Sequence, residues 1–439
     1  MASNDSDVMP EGVASGLPRR RVLKGLAAAG VTAGAVGLSG PAAGAEQSDS
    51  TDSWAAFDDA VASAFREMRM VGAAVAVVSA DRVLHTKTFG VRSRRTGRPV
   101  TDDTHFLVAS TTKSMSSLLV ATYVDEGKLD WDQPVIDAWP RFRAPTDELT
   151  KTLRVRDLLG MASGIGEPPA LSALHEGDPT AVQLLQSIVN LPVIGRPNKK
   201  FFYNNTVYAV GGYLPLLAAN VAGADLTAAY ANAMQDRVYG PTGMATARIA
   251  DDPRGVVTDY ATGNGLDIKG RRTTLPYGPV GSYAPVGGTL ATLNDMAAYV
   301  RLQLRKGVSV DGSRVVSKAN LAECWKPHIS LPVSPEFNPD VVRAGYGMGW
   351  IRERYRDGTS LVWHNGGIDG FTSYMGFLPE HDLGLIVLNS MNPGPTGTLL
   401  YSYVLNLLLS QRLGLNRGVP DKILGAYETA YSQLLELGS

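Results

Sequence analysis

A serine and a lysine three positions apart carry the strongest chemical signal in the sequence. Ser110 and Lys113 follow the apolar run 106–109 and open a stretch with helical spacing. Residues three apart share a helix face, so the amine would lie beside the hydroxyl, and the helix N-terminus favours negative charge on the serine oxygen. The spacing therefore predicts a serine nucleophile with a lysine partner, although a serine at a helix start can also act only as a cap.

A lysine acts as a base only when its amine is neutral. Holding a lysine of ordinary pKa, about 10.4, deprotonated at neutral pH costs roughly 4–5 kcal/mol, which burial and neighbouring groups must supply. An S-x-x-K tetrapeptide arises by chance about once in a chain of this length, so it needs support from other motifs. The G-x-S-x-G motif of α/β-hydrolases does not occur in the sequence, which counts against that class.

Two pairs of tyrosine and asparagine are candidates for the second element. Tyr203 and Asn205 stand at a loop-to-helix junction ahead of the apolar run 207–217, where a phenol can relay a proton and an amide can hold a substrate carbonyl. Tyr230 and Asn232 have the same spacing, but they lie inside an alanine-rich amphipathic helix. We therefore prefer Tyr203, and we expect Tyr230 to pack in the core and Asn232 to lie on the surface.

The third element is a His-Asn-Gly-Gly run at the end of a strand. His364 can donate a hydrogen bond to a substrate, and Gly366 and Gly367 would let the substrate lie along the strand edge. His175 begins a similar His-x-Gly run, but in a polar loop without a strand. A lone histidine is more often structural than functional, and its position at a strand end favours His364 over His175.

The elements that must position these residues come in a definite order. Apolar patterns predict a helix over 54–65, strands over 73–79 and 83–91, a mainly helical stretch over 110–280, strands over 360–363, 373–378 and 383–388, and a helix over 399–413. We expect a mixed α/β (α+β) fold in which both chain ends build one antiparallel sheet, flanked by the terminal helices, with a helical lobe that closes a cleft over it. The expected units are a sheet lobe over 53–109 and 286–415, a mainly helical lobe over 110–285 and a C-terminal tail over 416–439.

The beginning of the chain has the pattern of an export signal. Three arginines at 19–21 precede an apolar run over 25–38, and small residues at 43–45 would permit cleavage after Ala45. The apolar run is short for a membrane span and contains several glycines. We expect residues 1–45 to be a twin-arginine signal peptide and residues 46–52 a polar linker. The mature protein would then be secreted, wall-associated or periplasmic, without a stable membrane anchor.

Cysteine, histidine and charge usage argue against several other classes. The single cysteine, Cys324, cannot form an internal disulfide, and the six histidines are scattered without a metal-binding motif. There are 41 lysines and arginines against 42 aspartates and glutamates, so no bulk field draws the chain to nucleic acid. We expect no metal, no cofactor and no nucleic-acid partner, and a small-molecule or peptide substrate.

In this order, the three elements resemble the motifs of the serine β-lactamase and penicillin-binding superfamily. The closer likeness is to the class C β-lactamase-like group, which includes D-peptidases, D-aminopeptidases, esterases and amidases. The three motifs of that group are matched by Ser110-x-x-Lys113, Tyr203-x-Asn205 and His364-x-Gly366. Similar flanking stretches extend the resemblance over residues 55–410.

The resemblance implies a β-lactamase/transpeptidase-like fold and a role for each matched residue. Ser110 would be the nucleophile, and Lys113 with Tyr203 would share the general-base and general-acid work. Asn205 would hold the amide on the acyl side of the substrate. The backbone N–H groups of Ser110 and Gly367 would form the oxyanion hole, where loss of one donor costs roughly 3–4 kcal/mol of transition-state stabilisation.

Two positions depart from the pattern of the class C enzymes. Their third motif is Lys-Thr-Gly, whereas the His364 version looks more like the D-peptidase and D-aminopeptidase branch. Histidine is a weaker, pH-dependent anchor for a substrate carboxylate, so we expect activity to follow the ionisation of His364. Met161 stands where many relatives carry histidine, and we expect it to lie away from the reacting groups.

Several reactions are compatible with these motifs. The leading hypothesis is hydrolysis of an amide, ester or D-peptide through an acyl-enzyme on Ser110. The alternatives are a class C-like β-lactamase, an acyltransferase, and a penicillin-binding protein that acylates without turnover. Cell-wall peptides and β-lactams are therefore candidate ligands. The motifs do not separate these reactions, because deacylation depends on where a single water lies.

Overall fold

The computed structural model describes residues 51–167, 179–219, 225–267, 269–335, 338–392 and 395–437. The expected signal peptide, most of the expected linker and the rival histidine His175 lie outside the described residues. The described strands are β1 (Gly72–Val78), β2 (Val83–Gly90), β3 (Phe106–Leu107), β4 (Arg248–Ile249), β5 (Asn264–Leu266), β6 (Arg272–Thr274), β7 (Thr289–Ala291), β8 (Ile329–Leu331), β9 (Val341–Tyr346), β10 (Ile351–Tyr355), β11 (Ser360–Ile368), β12 (Phe371–Leu378) and β13 (Leu383–Asn389).

Both ends of the described chain build one eight-stranded antiparallel sheet. Its strand order is β2-β1-β13-β12-β11-β10-β9-β8, so the first hairpin pairs with the last strand. Ala73 of β1 lies opposite Asn389 of β13, and the register continues along both strands. Shorter strands pair as β3-β7-β4 and as β5-β6. The predicted joining of the two chain ends in a single antiparallel sheet is confirmed.

Helices cover both faces of this sheet. The described α-helices are Thr51–Glu67, Thr112–Asp125, Val135–Ala138, Asp147–Thr152, Val155–Leu159, Ala181–Ser187, Asn205–Ala218, Leu226–Met234, Gly240–Thr242, Ala284–Gly287, Leu293–Leu304, Lys318–Trp325, Pro395–Leu413 and Val419–Leu437. Short 3-10 turns lie at Ala109–Thr111, Ile188–Asn190 and Gly281–Tyr283. None of the helices in the described part of the chain is long and apolar enough to span a bilayer.

Two hydrophobic cores lie on opposite faces of the sheet, and β1 contributes to both. Ala73 and Val75 pack with the terminal helices, whereas Ala74 and Ala76 pack with the helical lobe. Burial on both faces explains why β1 reads as a continuous apolar run instead of an alternating one. The sheet therefore separates a layer of terminal helices from the helical lobe, which carries the turn of Ser110 and the helix of Lys113.

Strand β11 differs from the prediction at the place that matters for the site. The sequence predicts a strand that ends near Trp363, followed by a turn, but β11 continues to Ile368 and the chain turns at residues 369–370. Gly366 and Gly367 stay extended because they pair with Ser373 and Thr372 of β12. The His-Asn-Gly-Gly run is therefore part of a strand and not of a turn.

Other elements were not apparent in the sequence pattern. Strands β8 to β10 lie between the helical lobe and β11, and β10 contains the polar run Arg352-Glu353-Arg354 that hides its strand character. The segment expected to be a C-terminal tail contains the helix Val419–Leu437, which packs with the helix Pro395–Leu413 through apolar residues such as Val419 and Ile423. That helix extends the layer on the back of the sheet.

Candidate active site

Ser110 lies in a tight turn held between the sheet and the helical lobe. The turn Ala109–Thr111 leads directly into the helix Thr112–Asp125. The hydroxyl of Thr111 donates to the Val108 carbonyl at 2.8 Å and fixes the turn. Ala109 has φ of 48°, a left-handed conformation that costs a non-glycine residue roughly 1–3 kcal/mol. Strained backbone immediately before a serine is a feature that the sequence pattern did not indicate.

Lys113 lies one turn further along and is fully buried. Its amine nitrogen, Nζ, lies 3.0 Å from Ser110 Oγ and donates to the carbonyl of Val286 at 3.2 Å. The predicted proximity of the two side chains is present, although Ser110 belongs to the 3-10 turn that precedes the helix of Lys113. The contact between the amine and the hydroxyl is short enough for direct proton transfer.

Tyr203 lies over the lysine. The Lys113 amine is 4.7 Å from the centre of the Tyr203 ring, within the range of a cation–π contact. Tyr203 precedes the helix Asn205–Ala218, whose N-terminus is capped by the side chain of Asn204. Asn205 is the first residue of this helix and is partly exposed. The structure thus brings Tyr203 to the serine–lysine pair and places Asn205 two residues further on.

Met161 contacts the segment that carries Tyr203. Its carbonyl accepts a hydrogen bond from the Phe202 N–H at 2.8 Å, and its sulfur accepts one from the Asn204 N–H at 3.3 Å. Backbone contacts on both sides of Tyr203 show that Met161 helps to hold this segment in place. The methionine therefore supports the tyrosine through the main chain.

The rival pair of tyrosine and asparagine lies elsewhere. Tyr230 is fully buried, its hydroxyl is 2.7 Å from that of Ser116, and its ring packs edge-on against Tyr213. Asn232 is exposed. These positions match the expectation that Tyr230 packs in the core and that Asn232 lies on the surface.

His364 lies on the face of β11 that points to the helical lobe. Its ring centre is 6.5 Å from that of Tyr203, and only 2% of the residue is exposed. Nδ1 is 2.6 Å from the carbonyl of Asn365, and Nε2 is 3.2 Å from the hydroxyl of Tyr346. A carbonyl can only accept, so Nδ1 carries the proton and Nε2 accepts from Tyr346, an assignment made from the hydrogen-bond pattern.

The electrostatic state of His364 differs from the expectation. Burial, with a smaller contribution from the charge of Lys113, lowers the pKa of His364 to about 3. The imidazole is therefore neutral throughout the range in which most enzymes work. This low pKa argues against the expectation that activity follows the ionisation of His364, because the buried ring is removed from water.

Gly366 and Gly367 occupy different environments although they are neighbours. A Cβ at Gly366 would lie 2.3 Å from the Val108 carbonyl oxygen and 2.9 Å from the Ser110 nitrogen. A Cβ at Gly367 would meet only the amide of Asn392, at 3.7 Å. Glycine is thus required at Gly366 because β11 presses directly against the serine turn.

The edge of β11 beyond Trp363 is open on one side. Pairing with β10 ends at Ile351 opposite Trp363, whereas pairing with β12 continues to Ile368. Within the described residues, the run from His364 to Ile368 therefore has a strand partner on one side only. An unpaired strand edge can hold an extended ligand through main-chain hydrogen bonds.

No group of histidine, cysteine or carboxylate side chains in the described ranges is arranged to hold a metal ion. Cys324 is buried, and burial raises the pKa of its thiol to about 12, so the thiol stays protonated at neutral pH.

The site brings together the hydroxyl of Ser110, the amine of Lys113, the phenol of Tyr203 and the neutral imidazole of His364. Such a set can carry out proton transfer and nucleophilic attack on a carbonyl.

Comparison with known proteins identifies the family of the chain. The family model described as Beta-lactamase matches residues 57–408, which is most of the chain. The chain belongs to the Beta-lactamase family. The match covers the sheet and the helical lobe together, and the superfamily suggested by the three motifs is therefore confirmed.

The relatives of this chain include a protein named as an unguisins hydrolase and a penicillin-binding protein. The chain is 24% identical to Unguisins hydrolase ungD of Aspergillus violaceofuscus (strain CBS 115571) over 78% of its own length, and it spans only 62% of that protein. It is 27% identical to Penicillin-binding protein 4 of Amycolatopsis lactamdurans, over 79% of this chain and 87% of the relative. These relationships support a hydrolytic enzyme in broad terms.

A solved structure has the same fold. The octameric penicillin-binding protein homologue from Pyrococcus abyssi superposes with a TM-score of 0.67 at 24% identity, over 82% of this chain and 79% of the other. This likeness confirms the β-lactamase/transpeptidase-like fold, with its large antiparallel sheet and flanking helices.

Proposed function

We propose that the protein is a serine hydrolase that forms an acyl-enzyme on Ser110 and cleaves esters or amides. The observation that carries the proposal is the 3.0 Å contact between Nζ of the fully buried Lys113 and Oγ of the partly exposed Ser110. When the amine is neutral, the hydroxyl donates into this contact and the amine accepts. The serine turn then presents its oxygen beside the open edge of β11.

The reaction proceeds in two steps on the same groups. Ser110 Oγ attacks the substrate carbonyl carbon while its proton passes to Lys113 Nζ, and the resulting oxyanion is held by backbone N–H groups of Ser110 and Gly367. Collapse of this intermediate breaks the bond to the leaving group, which takes the proton through Lys113 and Tyr203. A water then attacks the acyl carbon and gives a proton to the same base. Collapse of this second intermediate breaks the bond from the acyl carbon to Ser110 Oγ, which takes the proton back from the base as the acid leaves.

The state of His364 favours substrates without a carboxylate next to the scissile bond. A neutral imidazole, buried and bonded to Tyr346 and to the Asn365 carbonyl, offers no positive charge to an anionic group. Burying a carboxylate against it would cost several kcal/mol without a compensating ion pair. Uncharged esters and amides are therefore better candidates than penicillins or peptides with a free C-terminal carboxylate beside the reacting bond.

A matched pair of esters tests both parts of the proposal. The phenyl ester and the meta-carboxyphenyl ester of the same acid differ only by a carboxylate on the leaving group. We expect turnover of the phenyl ester by the wild type and none above background by Ser110→Ala. We expect kcat/KM of the wild type for the carboxylated ester to be no higher than for the phenyl ester. A preference of more than about tenfold for the carboxylated ester, about 1.4 kcal/mol, would overturn the inference from His364.

Benzylpenicillin separates the alternatives of the same family. Intact mass after incubation shows a stable adduct if the protein traps penicillin without turnover, and hydrolysed penicillin in the same tube indicates β-lactamase activity. Intact penicillin with no adduct is the result that we expect. Addition of an acceptor amine to the ester assay, with analysis of the product, tests transfer of the acyl group to acceptors other than water.

We also propose that the protein is exported through the twin-arginine route. The support is the sequence pattern alone, since residues 1–45 lie outside the described part of the chain. Export that persists when Arg20 and Arg21 are both replaced by lysine, while a block of the general secretory route abolishes it, would contradict this proposal.

A further inference from the structure

A buried carboxylate lies at the start of the helix that carries the tyrosine motif. Glu167 is only 7% exposed. Its Oε2 accepts from the backbone N–H of Asn205 at 3.0 Å, and its Oε1 accepts from the backbone N–H of Thr206 at 2.9 Å. The Thr206 hydroxyl also donates to Oε1. Three hydrogen bonds thus hold one carboxylate over the first turn of the helix Asn205–Ala218.

This carboxylate does more than cap a helix, because the Thr206 hydroxyl that donates to it also contacts a residue on the other side of the site. Thr206 Oγ1 is 3.1 Å from the hydroxyl of Tyr283. Tyr283 ends the turn Gly281–Tyr283, and the next helix, Ala284–Gly287, contains Val286. The carbonyl of Val286 accepts the hydrogen bond from Lys113.

The contacts therefore join the two segments that flank the lysine amine. On one side Glu167 holds Asn205 and Thr206, two and three residues after Tyr203, and on the other side Tyr283 belongs to the segment that supplies the Val286 carbonyl. We propose that Glu167 is a positioning residue that locks Tyr203 and Asn205 against Lys113. This inference rests on the proposed acyl-enzyme on Ser110 and deepens it.

The chemistry of the bonds explains why a carboxylate is used. Hydrogen bonds to an ionised acceptor are shorter and about twice as strong as neutral ones, and a negative charge at a helix N-terminus also interacts favourably with the helix dipole. A glutamine would keep one acceptor oxygen and place an NH₂ group against a backbone N–H. Glu167→Gln should therefore loosen one of the two backbone contacts while preserving the shape of the side chain.

A second capping carboxylate in the same lobe provides a matched control. Asp225 accepts from the backbone N–H groups of Thr227 and Ala228 at 2.9 and 3.2 Å, at the start of the helix Leu226–Met234. It is exposed and caps a helix whose tyrosine, Tyr230, points into the core. Asp225→Asn thus tests the loss of a capping carboxylate without the link to Lys113.

The experiment measures acylation and folding in parallel. For phenyl ester turnover we expect Glu167→Gln to lower kcat by about tenfold with a smaller change in KM, whereas Asp225→Asn stays within about twofold of the wild type. Thr206→Val removes the hydroxyl that contacts both Glu167 Oε1 and Tyr283 but keeps the two backbone contacts of Glu167, and it should give an intermediate loss. Melting temperatures and circular dichroism report the folded fraction of each variant.

The outcomes separate the positioning role of Glu167 from the proposed acyl-enzyme on Ser110. The rate of labelling of Ser110 by a fluorophosphonate probe, read by mass, does not depend on the choice of ester. Failure of the wild type to label would remove the proposed function itself. Normal labelling of the wild type with equal rates and equal kcat for Glu167→Gln and Asp225→Asn would overturn the role of Glu167. A loss of activity that follows the folded fraction alone would also overturn it.

Discussion

The two faces of strand β11 are built by the same nine residues and have opposite characters. On the front face, Gly366 has no side chain and lets the strand backbone press against the turn of Ser110. On the back face, the Asn365 amide donates to the Tyr401 hydroxyl at 2.8 Å, and Trp363 stacks on Tyr374 with 5.7 Å between ring centres. Contacts on the front face are made by the backbone of β11, whereas contacts on the back face are made by its side chains.

This difference indicates how one strand can serve both stability and chemistry. The aromatic stack behind β11 ties the strand to the helix Pro395–Leu413, because Tyr374 stacks in turn on Tyr401 at 5.3 Å. The front is then free to approach the nucleophile closely, with a neutral His364 as the main polar side chain beside it. Substitutions on the front should therefore change activity more than stability, and substitutions on the back should do the reverse.

The largest effect on the front should come from the lysine. Lys113→Met keeps the length and burial of the side chain and removes the base. We expect kcat/KM for the phenyl ester to fall by about a thousandfold, within the usual range for loss of a general base, with no loss of unfolding free energy. Steady-state kinetics and urea unfolding provide the two measurements. Retention of most activity would show that the base is another group.

The next effect tests the close approach of strand and turn. Gly366→Ala places a Cβ 2.3 Å from the Val108 carbonyl oxygen, so the strand or the serine turn must move. Displacement of the oxyanion site by a fraction of an ångström should reduce kcat by about a hundredfold. Gly367→Ala meets only Asn392 and should lose much less. Equal losses for the two variants would contradict the front-face account.

Two tyrosines of the helical lobe allow a similar comparison. Tyr203→Phe removes the hydroxyl of the ring that lies over the Lys113 amine, and we expect a loss of at least about tenfold in kcat. Tyr230→Phe removes a hydroxyl that contacts Ser116 in the core and should cost about 1 kcal/mol of stability with little change in kcat. If the kinetic effects of these two variants had the opposite order, the choice of Tyr203 would be wrong.

The buried carboxylate of Glu353 should make the free energy of unfolding fall as pH rises between 4.5 and about 7. Burial raises the pKa of Glu353, on β10, from 4.5 to about 7. The folded state then holds a proton that the unfolded state has lost, so stability falls as pH rises from 4.5 to about 7, by roughly 3 kcal/mol. Urea unfolding should show Glu353→Gln gaining on the wild type over this interval. A constant difference between the two would contradict the assignment.

The front-face histidine should act with the opposite sign at lower pH. Folding lowers the pKa of His364 from 6.5 to about 3, so between these pH values the unfolded state binds a proton that the folded state does not. The free energy of unfolding is therefore unaffected by His364 above pH 6.5 and falls as pH decreases toward 3. The same unfolding series, extended to acid, should show less acid destabilisation for His364→Gln than for the wild type. In contrast, the kcat profile of the wild type should show no step that this substitution removes.

The smallest effect should come from the polar contact behind the strand. Tyr401→Phe removes the acceptor of the Asn365 amide and leaves the stack with Tyr374 in place. We expect a loss of roughly 1–2 kcal/mol in unfolding free energy and a change in kcat of less than about twofold. A large kinetic loss without loss of stability would mean that the back face takes part in the chemistry.

The sequence predicted the local signals better than the contacts between distant segments. The proximity of Ser110 and Lys113, the β1–β2 hairpin and the packing of the helix Pro395–Leu413 on the sheet follow from spacing and periodicity. The extension of β11 through two glycines does not, because it depends on pairing with β12 and on contact with the serine turn. Strand β10 was missed because charged residues such as Glu353 break the apolar pattern. The burial of Glu353 depends on contacts with distant segments, which the local sequence does not indicate.

The electrostatic state of the site was also beyond the sequence. The histidine of the third motif could be chosen, but its burial and the hydrogen bond from Tyr346 are set by elements far apart in the chain. Glu167 gave no sequence signal, because a single acidic residue after a glycine is indistinguishable from a surface residue until its partners are known. Likewise, the left-handed conformation of Ala109 arises from the way the turn is held and not from its residue type.

The most direct test of the central claim is intact-mass analysis of the enzyme quenched with acid during turnover of the phenyl ester. We expect a wild-type species heavier by the acyl group, with the added mass on the peptide that contains Ser110, and no such species for Ser110→Ala. Turnover of the ester by Ser110→Ala at the wild-type rate, or an acyl group found on another residue, would contradict the account.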